Sequence, residues 1–580
     1  MVLLPTGGGK SLCYQLPALL KQELVIVISP LIALMDDQVQ SAQQAGIQAE
    51  ALHSQLKDQH RKRVYAKLKN NELNLLYLSP ERLSIGDIIT PDLKIQLIAI
   101  DEAHCISQWG HDFRPEYRQL GEIVSSFPNI PRMALTATAT PQVQSDILAQ
   151  LNLREPKVFT GYIDRPNLTY RSLPRDKLQQ QLFSLVSKHP NEGGIIYAQT
   201  RKNVENIAKK LKEQGVKCGA YHAGLPASTR VQVQADFINE NLDVVVATLA
   251  FGMGIDRSNV RYVIHANLPK SIEHYQQEAG RAGRDGLPAS CYLLHHYSDI
   301  VTHRHLAQSS YPLGPQRKRQ LEQQLKSISR YAWAPICRHE ILVTHFGQDW
   351  PPEKYNSQNQ SCEACDVCLG ETKELPQEEA LLIAQKIISA VFRSGSQFGA
   401  GHVIDILKGK TSPKVKQYGH QQLSVFSLMK DTPETALRTW IDQLILQKFL
   451  EMDESSGYPI LKTTEKGIEL CKQGGHLRLS EMDMTQVKSS SSRKSSKADI
   501  DWEGVDQDLF QKLRDLRKQL AEESGQPPYI IFSDESLRAM ARSKPQNRTA
   551  FLRVKGVGEK KMALYGMTFM DCIKTHITQQ

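Results

Sequence analysis

The sequence predicts an α/β protein: two lobes, each built on a parallel β-sheet, followed by smaller, mainly helical domains. Three observations carry that reading. Apolar, β-branched runs recur through the first half of the chain with helical or loop sequence between them, the pattern of strands covered on both faces. The strand series restarts after the polar stretch "YIDRPNLTYRSLPRDK", which divides that half in two. From about residue 306 the character becomes helical and polar.

Taken in order, "LVIVIS" (24–29), "LNLLYLS" (73–79), "IQLIAI" (95–100) and "MALTAT" (133–138) are strands of a first lobe over 1–158. "GIIYAQ" (194–199), "DVVVAT" (243–248) and "YVIHAN" (262–267) belong to a second, over 159–305. Residues 306–375 carry a cysteine group at 337–368. Over 376–485 come three helical patterns, the last placing Leu437, Trp440, Ile441, Leu444 and Ile445 on one face. "EMDESSGYPILKTTEKG" then reads as a turn between two short strands, an order like that of a winged helix. "QVKSSSSRKSSKAD" lacks apolar periodicity and predicts a flexible basic linker over 486–500, with a small helical domain over 501–580.

A net charge of +9 and a pI near 8.8 suit a phosphate-rich partner. There is no run of 18 apolar residues, and residues 1–20 lack a basic n-region and a small-residue cleavage site. The expectation is a cytoplasmic protein with no membrane partner. Ten cysteines, scattered except for one group, do not make a disulfide framework; in a reducing compartment the tight group suits metal.

Chemistry is announced by "TGGGKS", which follows a strand and precedes a helix. After Thr6, glycines Gly7, Gly8 and Gly9 let backbone N–H groups close on phosphates; Lys10 would neutralise the β- and γ-phosphates of ATP and Ser11 would ligate Mg²⁺. The general pattern asks for a glycine at position 4, where this chain has Leu4. "LIAIDEAH" then puts Asp101 and Glu102 at the C-terminal end of a buried strand, Asp101 suited to the metal and Glu102 to the attacking water. From the other lobe, "YQQEAGRAGRDG" supplies Gln277, Arg281 and Arg284, fixed cations for charge developing on the γ-phosphate.

Together "PTGGGKS", "SPLIALMDDQ", "DEAHCISQWGHDFRPEY", "ALTATA", "GIIYAQTR", "VATLAFGMGIDRSNVRYVIH" and "QEAGRAGRDG" resemble the RecQ family of superfamily 2 DNA helicases nearly end to end. The resemblance implies two RecA-like lobes, a zinc-binding subdomain, a winged helix and an HRDC domain. It also implies ATP-driven 3′-to-5′ movement on single-stranded DNA, with unwinding of duplex DNA in recombination and repair. If the source is bacterial, it implies association with the nucleoid, and a single-stranded-DNA-binding protein and other repair proteins become candidate partners.

Just after the acids lie Trp109, His111, Phe113 and Arg114, aromatics able to stack on bases beside the hydrolytic machinery; a packed aromatic turn is the plainer reading. The family adds the stretches beginning at Ser29 and at Thr136 and the region from Thr248 to Asp256 as segments that track the single strand or connect it to the ATP site. Cys337, Cys362, Cys365 and Cys368 give C-x24-C-x2-C-x2-C, whose closing triplet chance would produce about 0.003 times in such a chain. Four thiolates suit tetrahedral Zn²⁺, the same triplet could open an iron–sulfur site, and the resemblance implies zinc. Tyr458, on or near the hairpin, is either a strand-separating wedge or an ordinary edge tyrosine. In the tail, "KGVGEKK" offers backbone N–H groups with Lys555, Lys560 and Lys561, a phosphate grip or a glycine turn with solvated lysines.

After Met1 only "VLL" lies ahead of Pro5, and the upstream helical segment and adenine-reading glutamine motif of RecQ helicases have no counterpart here, so the expectation is a true start upstream of Met1, with a natural truncation as the alternative. Two other functions compete: a DNA-binding scaffold with impaired ATPase, and a DExH RNA helicase, against which the aromatic continuation, cysteines and HRDC-like tail argue. A transporter ATPase lacks its signature sequence.

Overall fold

The computed structural model describes the chain except residues 22, 31, 85–87, 89–92, 111, 113, 154, 249–256, 311–313, 335, 351–360, 454–459, 482–501 and 580. The expected linker over 486–500, His111, Phe113 and Tyr458 therefore lie outside the described residues, as does the Thr248–Asp256 stretch beyond Thr248.

Two parallel sheets dominate. The first comprises β1 (Val2–Leu3), β2 (Leu24–Ile28), β3 (Ala49–Leu52), β4 (Leu75–Leu78), β5 (Ile95–Ile100), β6 (Arg132–Thr136) and β7 (Phe159–Thr160), in the order β3-β4-β2-β5-β6-β1-β7. β2 reads Leu-Val-Ile-Val-Ile with every residue buried, because helices cover both faces of the sheet. The two-residue β1 is flanked on both sides, Val2 opposite Leu135 and Phe159 and Leu3 opposite Thr136 and Thr160. Residues 159–160 thus pair within the first sheet, although the change of sequence character put them in the second lobe.

The second sheet holds β8 (Leu168–Pro174), β9 (Gly193–Tyr197), β10 (Cys218–Tyr221), β11 (Val244–Ala247), β12 (Val260–His265) and β13 (Ala289–His295), ordered β10-β11-β9-β12-β13-β8. Apolar clusters again line both faces. Helices that follow the strands start on side-chain caps: Thr140, Thr200 and Ser271 accept from the N–H three residues on.

Helix Pro315–Trp333 leads to the cysteine region, and the loop around Cys365 is stitched to β8: Tyr170 N–H donates to Ala364 O (3.0 Å) and Asp366 N–H to Tyr170 O (2.9 Å). Asp366 forms a buried ion pair with Arg338 and accepts from Ser172 N–H (3.0 Å), so the region is an annex of the second lobe. Helices Gln377–Arg393, Ala400–Lys408 and Glu434–Leu446 and the antiparallel hairpin β15 (Leu450–Asp453) with β16 (Ile460–Thr463) follow, β14 (Lys373–Glu374) having paired antiparallel with β17 (Ser480–Glu481). Leu437, Trp440, Ile441 and Leu444 are buried in that core and Ile445 packs against it. The last domain is a helical bundle from Gln507 to Gln579 around Leu509, Leu513, Phe532, Phe551 and Phe569. Among the described residues, no helix is long and apolar enough to cross a membrane.

Candidate active site and metal centre

The loop between β1 and helix Leu12–Lys21 turns through Gly7 (φ +80°) and Gly9 (φ +81°), left-handed geometry that favours glycine. Lys10 Nζ donates to the carbonyls of Leu4 (3.3 Å) and Pro5 (3.4 Å). Burial lowers its pKa, against the pull of Glu102 and Asp101. At the end of β5, burial and the neighbouring Glu102 carboxylate push Asp101 up to about 7, an environment that favours neutralisation by a cation. Glu102 sits at φ +46°, uncommon for a residue with a Cβ, and its Oε2 lies 3.2 Å from His104 Nδ1. That nitrogen is also 2.9 Å from Thr136 Oγ1 at the end of β6, so the acidic turn and the β6 terminus share one histidine. Burial opposes charge on His104, yet Cys105 and Glu102 raise it to about 10.

These groups meet the second lobe across a cleft of about 670 Å³. Thr6, Gly7, Gly9, Lys10, Ser11, Asp101 and Glu102 line it from one side; Gln277, Arg281 and Arg284 line it from the other, at the end of helix Ile272–Ala279. Gly8 is in the same loop, its N–H donating to Pro5 O (2.9 Å). Burial lowers the pKa of Arg281, whose strongest opposing influence is Tyr197.

Sequence reasoning missed three parts of this cleft, among them Ala235, Ile238, Asn239 and Ser258 of the second lobe, at and beyond the end of helix Ala227–Ile238. Another is the polar face of helix Ile32–Gln44, which contributes Asp37, Gln38, Gln40, Ser41 and Gln44; its polar spacing was the available signal. The third is a turn of the last domain, Gly525, Pro527, Tyr529 and Ile530, for which local sequence holds no signal. That domain docks on the second lobe through Arg517, which pairs with Glu240 (2.9 Å) and Asp534 (2.7 Å), and Arg514, which pairs with Glu240 (3.3 Å).

The described candidate DNA residues are not gathered into one site. Trp109 is half-buried against the first lobe's core. Arg114 donates to Pro30 O (2.7 Å) and pairs with Asp112. Ser29 is buried at the end of β2. Thr248 instead lines a cavity of about 430 Å³ in the second lobe, with Gln199, Lys270, His274 and Arg317. The loop of Trp109 reaches helix Pro315–Trp333 through Gln320 Nε2, which donates to Gln108 O (3.0 Å). Lys555 stands on the surface of the last domain, paired with Glu535 (2.8 Å).

Cys337 sits at the head of helix Arg338–His345, and Cys362, Cys365 and Cys368 come from the loop beyond it. Their four sulfurs lie within 4.8 Å of one another. A tetrahedron with metal–sulfur bonds of about 2.3 Å has edges of about 3.8 Å, so the donor set fits zinc.

Family models match almost the whole chain: DEAD/DEAH box helicase over 1–147, Helicase conserved C-terminal domain over 175–286, RecQ zinc-binding over 297–369, RQC domain over 377–488 and HRDC domain over 506–573. The ATP-dependent DNA helicase RecQ of Pasteurella multocida (strain Pm70) is 42% identical over 580 residues, covering 99% of this chain and 89% of the relative. Its namesake in Haemophilus influenzae is also 42% identical, over 99% of this chain and 91% of the relative. That of Bacillus subtilis is 37% identical, over 99% and 93%.

Proposed function

The chain belongs to the RecQ family of ATP-dependent DNA helicases, and from that premise we propose that it couples ATP hydrolysis between its lobes to 3′-to-5′ movement on single-stranded DNA, unwinding the duplex ahead. The observation that carries the reading is the division of the cleft, with a phosphate loop and an acidic pair on one lobe facing two arginines on the other.

Each residue then has a task. Backbone N–H groups of the phosphate loop other than that of Gly8, which Pro5 O engages, and Lys10 would hold the phosphates of ATP, while Ser11 and Asp101 would hold Mg²⁺. Glu102 orients the attacking water, its carboxylate steadied by His104. Gln277, Arg281 and Arg284 face the γ-phosphate position from the second lobe, so stabilisation of the transition state depends on how the two lobes are set against each other. The four cysteines would hold a structural Zn²⁺. Arg114 and Thr248 are the first-lobe and second-lobe contacts to the strand, Ser29 being too buried to reach it directly, Trp109 stacks on a base, and Lys555 adds a phosphate contact from the HRDC domain. Action beside the nucleoid, in recombination and repair and with a single-stranded-DNA-binding protein, extends the same reading.

Strand displacement tests it. With ATP and Mg²⁺, a duplex carrying a 3′ single-stranded tail is unwound and a 5′-tailed duplex is not. Preference for the 5′ tail, or displacement without ATP, contradicts it.

A further inference from the structure

Arg165 lies in the stretch between β7, the last strand of the first sheet, and β8 in the second, and so at the hinge between the lobes. A guanidinium carries five N–H donors in a planar fork, and here every one is engaged. Nε donates to Asn167 Oδ1 (3.2 Å). Nη1 donates to the carbonyls of Thr6 (3.0 Å) and Gly280 (3.4 Å). Nη2 donates to those of Ala282 (3.1 Å) and Gly283 (2.7 Å).

The choice of carbonyls is informative. Thr6 immediately precedes the phosphate loop on the first lobe. Gly280 and Ala282 flank Arg281, and Gly283 precedes Arg284, so the backbone that aims both arginines is held by the same side chain as the loop they face. These carbonyls close helix Ile272–Ala279, where a cation is also favoured by the helix dipole. A Cβ on Gly280 would lie 3.3 Å from Thr6 Cβ, so the lobes meet tightly here. Beside Arg165, Asp164 pairs with His339 (2.5 Å), and Gln348 bonds Ile163 N–H (2.9 Å) and Gly161 O (2.9 Å), which fastens the hinge to the zinc-binding region.

We propose that Arg165 is a positioning residue for hydrolysis: a hinge pin that sets Arg281 and Arg284 in register with the phosphate loop as the lobes close. It touches backbone on both lobes and acts through the two arginines. A lysine keeps the charge but has three donors on one point and cannot span four carbonyls, so Arg165→Lys fails nearly as badly as Arg165→Ala.

The inference rests on the nucleotide cleft proposed above. Its test compares full-length wild type, Arg165→Ala, Arg165→Lys and Lys10→Ala in steady-state ATP hydrolysis with single-stranded DNA, with binding of a fluorescent ATP analogue, melting temperature and zinc content in parallel. Misplacing a reacting geometry by about 1 Å costs up to about a hundredfold, so both Arg165 variants lose at least about tenfold in kcat while KM and analogue affinity stay within about threefold. Millimolar methylguanidinium restores part of the Arg165→Ala rate and none of the Arg165→Lys rate. If Arg165→Ala does not fold, Arg165→Lys alone decides on the same split. Wild-type kcat in the folded variants, or a raised KM at unchanged kcat, overturns the pin. If Lys10→Ala still hydrolyses ATP normally, the cleft reading fails and the pin falls with it; if Lys10→Ala is dead and the Arg165 variants match wild type, the pin alone falls.

Discussion

The four sulfurs of the cysteine site come from residues 337–368 and lie within 4.8 Å of one another, whereas the proposed nucleotide cleft draws on residues from 6–11, 37–44, 101–102, 235–239, 258, 277–284 and 525–530, which meet only because three domains pack together. The cysteine site is completed once its own loop folds against one helix, and it contributes rigidity to the second lobe through Arg338, Asp366 and β8. The cleft is completed by the placement of whole domains, so small relative movement switches it. A protein that turns hydrolysis into motion needs both, a rigid annex to hold a lobe and a divided site to sense its position.

The contrast is sharpest at Arg281. Arg281→Ala should lower kcat for ATP at least about a hundredfold while nucleotide affinity stays near wild type, because a cation supplied across a cleft acts mainly in the transition state. Equal loss of affinity would make it an ordinary binding residue. At the zinc site the effect is structural: Cys365→Ser, or a strong chelator, should release the metal and destabilise the second lobe by several kcal/mol, read as a lowered melting temperature. A variant that keeps both its zinc and its melting temperature would break the comparison. Trp109→Ala should reduce DNA-stimulated hydrolysis about tenfold and basal hydrolysis far less, since its loop borders the acidic turn without entering the cleft. Equal loss of both would count against coupling. Least affected should be Glu240→Gln, which weakens the docking of Arg514 and Arg517. Hydrogen exchange along 507–524 should quicken and the KM for ATP shift about twofold to threefold.

What the sequence made legible follows the same division. Runs such as "LVIVIS" and "IQLIAI" are strands buried on both faces, and hydrophobicity alone marks them. β8 was hidden because it lies at a sheet edge and alternates, with Arg171 occupied by Glu371 of the zinc-binding region. β3 was hidden because it is short and carries Glu50, buried and paired with Lys67. The phosphate loop, acidic pair, arginines and cysteines could be read because each is a local pattern with a chemical reason for its spacing. Arg165 and the HRDC turn could not, because their partners are up to hundreds of residues away and only packing brings them near. Likewise, helix Gln507–Ser524 looks amphipathic in sequence, but nothing there says that buried Arg517 answers Glu240.

ATP hydrolysis by the full chain, with and without single-stranded DNA and with Lys10→Ala as control, tests the central claim most directly. The divided cleft predicts strong stimulation by DNA, with a loss of at least about a hundredfold in the Lys10→Ala variant. Hydrolysis that ignores DNA, or that survives the loss of Lys10, would contradict it.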